Sequence, residues 1–343
     1  MPTLTLPSGV EFFYTDSGTP DNASDYTTLL IIHGHTFHSG TFGRLSAVAP
    51  SNSLRIVCVN RREYPASSPY NPAELAAFMT GTTEQRTSIL AQQGHDLALF
   101  LDGLIVDLAL PEAGGVAVAG WSLGTIFLTS LICSMETLPQ ATQERLSDFV
   151  HTIILLQCPS LSLGLPTPLG LLIPHTDPKI APEDRGSAFV KWVSSYFVHG
   201  DLSTRNLNNL TYDNIDTLRP PTISTLKPDD LHSMVDFAPG ERYDNIIGLD
   251  PFQDVVYKQT IKALFDSKVR QVWGRAAFWS VYGDAEPWNI IYGGWFLEDQ
   301  AKAAGLEIHS KIIQGCNHFL VWEEPDRAIK ELKSCFNFQR PRL

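Results

Sequence analysis

Residues 115–133, which read GVAVAGWSLGTIFLTSLIC, decide the fold. The opening GVAVA is a short apolar run, typical of a strand buried on both faces. The pattern GWSLG (120–124) follows, and a second apolar stretch of helical length comes next. A glycine-x-serine-x-glycine pattern between a strand and a helix indicates a very tight turn in which the residues two positions before and after the serine must be small. The pattern predicts that Ser122 projects above the edge of a sheet, close to the amide-rich start of a helix.

Other apolar runs extend this strand and helix into an α/β fold. The further predicted strands before residue 159 are TTLLII (27–32), LRIVCV (54–59) and TIILL (152–156). Residues 83–108 have apolar side chains at helical spacing, and residues 3–14 alternate around a Pro-Ser-Gly turn as a hairpin does. Strands that alternate with helices form a doubly wound, mostly parallel sheet with helices on both faces.

The strand–helix alternation lapses over residues 159–270, which are rich in Pro, Asn and Asp. Two segments there, 188–198 and 254–265, have helical patterns. The alternation then resumes with a strand at 277–282, a helix near 294–304, a strand at 307–313 and a helix at 325–335. The sequence therefore predicts a core made of 1–158 and 271–343, with a mainly helical cap inserted at 159–270, since long structureless loops are rare in compact domains.

Composition restricts the classes of partner. The chain has 343 residues and a formal net charge of −12, which disfavours binding to nucleic acid or to anionic membranes. No apolar run reaches the length of a membrane span, and the five cysteines are scattered without a CxxC pair. These features predict a cytoplasmic protein with buried thiols. The final tripeptide PRL (341–343) matches a peroxisomal address only in part.

A serine hydroxyl needs a general base to act as a nucleophile. The candidate is His318, in the segment GCNHF (315–319) between the last predicted strand and the last predicted helix. Loops at the carboxyl ends of parallel strands are where such a sheet places its site. We therefore expect His318 to be the base for Ser122.

The order of these motifs resembles that of the α/β-hydrolase family, over nearly all of the chain except the middle block. Members often carry Gly-x-x-Asp-Pro after the strand that corresponds to 277–282, and that Asp orients the histidine. This chain reads GDAEP (283–287), so the resemblance implies Glu286 as the acid, with Glu in place of Asp. Asp284 remains the competing carboxylate. The family's other position for the acid, after TIILL, holds Gln-Cys-Pro and no carboxylate.

The segment HGHTF (33–37) resembles the His-Gly-x-x segment of the same family. The resemblance implies that the backbone amide of His35 or Thr36, together with that of Leu123, binds the negative oxygen that develops during acyl transfer. His33 would then have a structural role.

Trp121 and Thr36 are the residues expected to line a substrate pocket beside these groups. The histidines of residues 33–38 form H-x-H-x-x-H, but the zinc pattern that it resembles needs an Asp where Phe37 stands. We therefore expect neither a metal nor another cofactor.

These residues together predict a serine hydrolase that cleaves an ester, lactone or thioester of a small hydrophobic molecule through an acyl-enzyme. Serine at the nucleophile position argues against epoxide hydrolase and haloalkane dehalogenase, which the resemblance associates with Asp there. Two alternatives stay open, namely lyase or C–C cleavage chemistry on the same fold and a ligand-binding protein on a hydrolase scaffold. Monomer and homodimer also stay open.

Overall fold

The computed structural model describes residues 2–21 and 24–336. These residues form one eight-stranded sheet in the order β1-β2-β4-β3-β5-β6-β7-β8. The strands are β1 (Thr3–Thr5), β2 (Glu11–Asp16), β3 (Thr27–Ile32), β4 (Leu54–Val59), β5 (Val116–Trp121), β6 (Val150–Leu156), β7 (Ala277–Gly283) and β8 (His309–Ile313). Only the pairs β1–β2 and β2–β4 are antiparallel. The predicted doubly wound, mostly parallel sheet is thus confirmed.

Helices cover both faces of the sheet. They are α1 (Gly43–Val48), α2 (Pro72–Thr80), α3 (Thr83–Asp107), α4 (Gly124–Ser134), α5 (Gln140–Phe149), α6 (Arg185–Val193), α7 (Pro228–Met234), α8 (Phe237–Pro239), α9 (Asn245–Ile247), α10 (Gln253–Phe265), α11 (Ser267–Val272), α12 (Trp288–Ala304), α13 (Leu320–Glu323) and α14 (Pro325–Phe336). Among the described residues, no helix is both long and apolar enough to cross a bilayer.

The central strands are apolar at consecutive positions because both of their faces are covered. In β3, Leu30 and Ile32 pack into the core on one face, whereas Leu29 and Ile31 pack into the core on the other. Successive side chains of a strand point to opposite faces, so one run of sequence supplies both cores. This burial explains why these runs are recognisable without any alternation.

The segment between β6 and β7 contains helices and turns but no strand among its described residues. An isolated bridge between Phe37 and Val235 is one of its contacts with the rest of the chain. One predicted helix there, 188–198, is shorter than expected and ends at Val193. The hydroxyls of Ser194 and Ser195 bond back to carbonyls in the last turn of this helix, which satisfies groups that a longer helix would use.

Other boundaries differ by a few residues. The helix expected near 294–304 begins at Trp288, directly after Pro287, whose fixed φ suits the residue before a helix. The strand expected at 307–313 begins at His309. The tripeptide 341–343, on which the peroxisomal alternative depended, lies outside the described residues.

Candidate active site

Ser122 lies at the turn between β5 and α4 with a left-handed φ of 55°. A β-carbon at Gly120 would lie 2.9 Å from the carbonyl oxygen of Gly124, and one at Gly124 would lie 2.1 Å from that of Ile32. A β-carbon at Gly34 would lie 2.8 Å from that of Ser122 itself. The three glycines therefore allow neighbouring backbone to come close enough to hold the serine in this conformation.

His318 lies in the loop after β8, with its Nδ1 3.0 Å from Oε2 of Glu286. Both side chains are buried, with 1% and 0% exposure. The other carboxylate oxygen accepts hydrogen bonds from the side chain of Gln157 and the amide of Gly283. Donors therefore surround the carboxylate, which suits its acceptor-only ionised form and a proton on Nδ1 of the imidazole. A neutral imidazole that carries its proton on Nδ1 has Nε2 available to accept another.

Asp284 is placed differently. Its Oδ1 accepts a hydrogen bond of 2.5 Å from the amide of Gly315. No hydrogen bond or ion pair joins it to His318 in the described structure. Of the two carboxylates left open by the sequence, Glu286 is the one that contacts the imidazole.

The ring of Trp121 packs against the imidazole of His318. The two rings stack with 4.8 Å between centroids and 20° between planes. Nε1 of Trp121 donates to Oε1 of Gln157, which in turn donates to Glu286 and to the carbonyl of Asn317. The sequence alone showed only that no carboxylate stands at position 157, and it did not predict a role for Gln157. The place of Gln157 directly after β6, at the carboxyl edge of the sheet, could have indicated that it belongs to the site.

The amides of His35 and Leu123 have no hydrogen-bond acceptor among the described residues. The amide of Thr36 donates to the hydroxyl of Tyr64 over 2.9 Å. The amide of Thr36 is therefore already hydrogen-bonded, whereas the amides of His35 and Leu123 are free to bind an oxygen.

A buried charged network fixes the loop that carries His35. Arg61 bonds both carboxylate oxygens of Asp244, at 3.0 and 2.8 Å, and also the carbonyls of His33 and Gly34. The hydroxyl of Tyr64 donates to the same carboxylate over 2.5 Å. Burial alone would lower the pKa of Arg61, but the charge of Asp244, the hydrogen bonds to Asp244 and the nearby Tyr64 together offset it, and the pKa is raised. Asp244 belongs to the segment between β6 and β7, so this network joins that segment to the core.

The comparisons with known proteins identify the family and the fold. A model described as the α/β-hydrolase family matches residues 29–331. The chain belongs to the α/β-hydrolase family. Comparison with curated proteins gave no significant match.

Solved structures share the fold of this α/β hydrolase at low identity. Est816, described as an N-acyl homoserine lactone degrading enzyme, is 16% identical with a TM-score of 0.56, and the match covers 97% of this chain and 99% of that one. A provisionally assigned aryl esterase from Burkholderia cenocepacia is 15% identical with a TM-score of 0.55, covering 97% and 96%. MGS-M2, an α/β hydrolase from a deep-sea metagenome, is 12% identical with a TM-score of 0.50, covering 100% and 99%. At these identities the likeness concerns the fold alone.

A cavity opens beside Ser122 in this member of the family. It encloses about 560 Å³ of empty space, including its opening to solvent. Most of its apolar lining comes from the segment between β6 and β7, with the residues Pro159, Leu161, Ile173, Phe189, Trp192, Val193 and Leu249. Ile290 of α12 also lines it. Trp121 and Thr36, expected from the sequence to line a pocket, are not among the lining residues. Both are almost fully buried, Trp121 beneath His318 and Thr36 beside His35.

Burial keeps three histidines near the site neutral. It lowers the pKa of His33 well below its usual value, lowers that of His35, and lowers that of His175 to about 3. His33 accepts from the amide of Arg61, and His35 bonds the side chain of Asn245. The members of the H-x-H-x-x-H pattern thus have separate partners. No group of three or more metal-ligating side chains is found among residues 2–21 and 24–336.

Proposed function

We propose that this protein is a serine hydrolase that cleaves an ester, lactone or thioester of a small hydrophobic molecule. The observation that carries the proposal is the left-handed Ser122 at the carboxyl edge of the sheet, in a chain where Glu286 holds Nδ1 of His318. A serine nucleophile and an imidazole base that is oriented by a buried carboxylate are the parts that this kind of acyl transfer requires.

In the proposed reaction, the hydroxyl oxygen of Ser122 attacks the substrate carbonyl while Nε2 of His318 takes its proton. Glu286 stabilises the imidazolium that forms. The amides of His35 and Leu123 bind the oxyanion, and the start of α4 adds a favourable dipole. His318 then gives its proton to the leaving group, and the same histidine activates the water that hydrolyses the acyl-enzyme. These steps need no metal or other cofactor.

The lining of the cavity supports an apolar substrate, and we propose that residues 159–270 act as a cap over the core of 1–158 and 271–343. This segment supplies most of the apolar side chains beside Ser122. Burial of the reacting carbonyl strengthens the interactions of the oxyanion by excluding water. The N-acyl homoserine lactone degraded by Est816 makes lactones a reasonable class to include in a screen.

Intact-mass labelling with a fluorophosphonate tests this proposal. One adduct on the wild type that disappears in Ser122→Ala and forms far more slowly in His318→Ala is the expected result. Glu286→Ala should slow labelling much more than Asp284→Ala, which serves as the matched acidic control. A folded wild type that forms no adduct and hydrolyses no chromogenic ester would overturn the proposal in favour of ligand binding without turnover.

A further inference from the structure

Two polar side chains at the cavity lack hydrogen-bond partners. Asn289 and Ser162 both line the cavity, with 5% and 0% exposure. Oδ1 of Asn289 and Oγ of Ser162 are buried without any partner. Buried polar groups are nearly always paired, so two unpaired polar atoms on residues that line one cavity point to a bonding partner from outside the chain.

The two side chains come from segments that are packed directly together. Asn289 is in the first turn of α12, and Ser162 is in a 3₁₀ turn (Ser160–Leu163) that follows β6. A β-carbon at Gly293 would lie 2.6 Å from the carbonyl oxygen of Cys158, so α12 and the start of this turn are in contact. This packing holds both polar groups on ordered backbone, as a binding site requires.

The rest of the cavity offers no charge to a ligand. Asp244 is the only carboxylate among the lining residues, and Arg61 bonds both of its oxygens. His35 and His175 are the other ionisable lining residues, and burial lowers the pKa of each. A charged group would therefore enter without a counter-charge, which is costly in a desolvated cavity.

We propose that Asn289 and Ser162 form a polar subsite that binds an uncharged N–H or O–H group of the substrate, separate from the reacting carbonyl. The donor hydrogen would bond Oδ1 of Asn289, and the hydroxyl of Ser162 would bond an adjacent oxygen such as an amide carbonyl. This inference rests on the proposed hydrolase function and narrows its substrates to mainly apolar esters or lactones that carry a neutral amide or hydroxyl.

Matched pairs of p-nitrophenyl esters test the subsite. Esters of N-acetyl-β-alanine, 4-acetamidobutanoic acid and 5-acetamidopentanoic acid would be compared with hexanoate, heptanoate and octanoate, which have acyl chains of equal length. The measured quantity is the ratio of kcat/KM for each amide ester to that for its alkyl partner. At the best spacing we expect this ratio to fall roughly tenfold or more in Asn289→Leu, and to fall less steeply in Ser162→Ala. Asn289→Ala serves if the Leu variant does not fold.

Ser160→Ala is the control. Its hydroxyl is also fully buried without a partner, but the residue does not line the cavity. Its ratio should equal that of the wild type. The proposal is overturned if the ratio in the folded Asn289 and Ser162 variants equals the wild-type ratio at every spacing. It is also overturned if the wild type shows, for every amide ester, a kcat/KM no higher than that for the alkyl ester of equal length. Fluorophosphonate labelling of Ser122 in each protein separates these results from failure of the hydrolase proposal, in which the wild type itself would not be labelled.

Discussion

Ser122 can adopt its left-handed conformation only because glycines surround it on three segments of the chain. Gly34 shows the dependence most directly, because a β-carbon added at this position would collide with the β-carbon of Ser122. The conformation of Ser122 is therefore set by the absence of side chains at three other positions, of which two lie two residues away in sequence and the third, Gly34, is distant in sequence.

Gly34→Ala should displace Ser122 and slow its labelling by a fluorophosphonate roughly 100-fold, because sub-ångström placement governs such reactions. Gly43→Ala is the matched control, since a β-carbon there meets nothing within 4 Å. Second-order rate constants of labelling measure the effect. Equal rates in the two variants would show that the close approach at Gly34 does not constrain the serine.

Gln157 connects three groups of the site through one amide. Gln157→Leu removes the donor to Glu286 and the acceptor for Trp121, and we expect kcat to fall roughly 10- to 100-fold with little change in KM. Gln259→Leu is the control, because that amide bonds Ile126 and Thr129 within α4. Steady-state kinetics on one ester distinguish the two, and an equal loss in both variants would contradict a positioning role for Gln157.

At the scale of whole elements, the loop after β3 is held by a segment that follows it in sequence by about 200 residues. The carboxylate of Asp244 receives donors from Arg61 and Tyr64, and the hydroxyl of Tyr64 receives the amide of Thr36. The loop that offers the amide of His35 therefore depends on where the chain between β6 and β7 packs.

Asp244→Asn should lower the free energy of unfolding by about 3–5 kcal/mol, because it leaves the buried charge of Arg61 uncompensated. The double variant Asp244→Leu/Arg61→Met should recover much of that stability, since it removes both charges. Urea denaturation at neutral pH measures both changes. Arg145→Met, which breaks a pair with Asp102 in which the Arg145 side chain is 37% exposed, should cost about 1 kcal/mol or less. A double variant as unstable as Asp244→Asn would mean that packing, and not the unpaired charge, causes the loss.

On the scale of the whole molecule, stability should depend on pH through the buried neutral histidines. Burial lowers the pKa of His175 from 6.5 to about 3, so between these values the unfolded chain binds a proton that the folded protein does not. The stability that the neutral imidazole contributes is complete at pH values above the unfolded pKa of 6.5. It is lost as the pH falls from there towards the folded pKa of about 3. His33 and His35 act in the same direction.

His175→Asn should therefore make the loss of unfolding free energy between pH 7 and pH 5 smaller by about 1 kcal/mol, allowing for the partial exposure of the ring. His232→Asn, at an exposed position on α7, should leave the pH dependence as in the wild type. Urea denaturation at the two pH values gives the comparison. An identical slope for all three proteins would show that His175 does not contribute.

The sequence by itself determined the strands, the main helices, the glycine-serine turn and the family. Each of these depends on residues close together in the chain, because burial of a strand and the geometry of a tight turn leave local patterns. The loop of His318 was recognisable for the same reason, since it follows a strand.

Only the tertiary structure decided which of these groups touch. Glu286, and not Asp284, bonds His318. The amide of Thr36 donates to Tyr64, and Trp121 stacks on the imidazole of His318 instead of lining the cavity. The tertiary structure also brought Asp244 to an arginine 183 residues away. Contacts of this kind depend on how distant segments of the chain pack together. The residues next to a side chain in the sequence do not specify which distant residues it will contact.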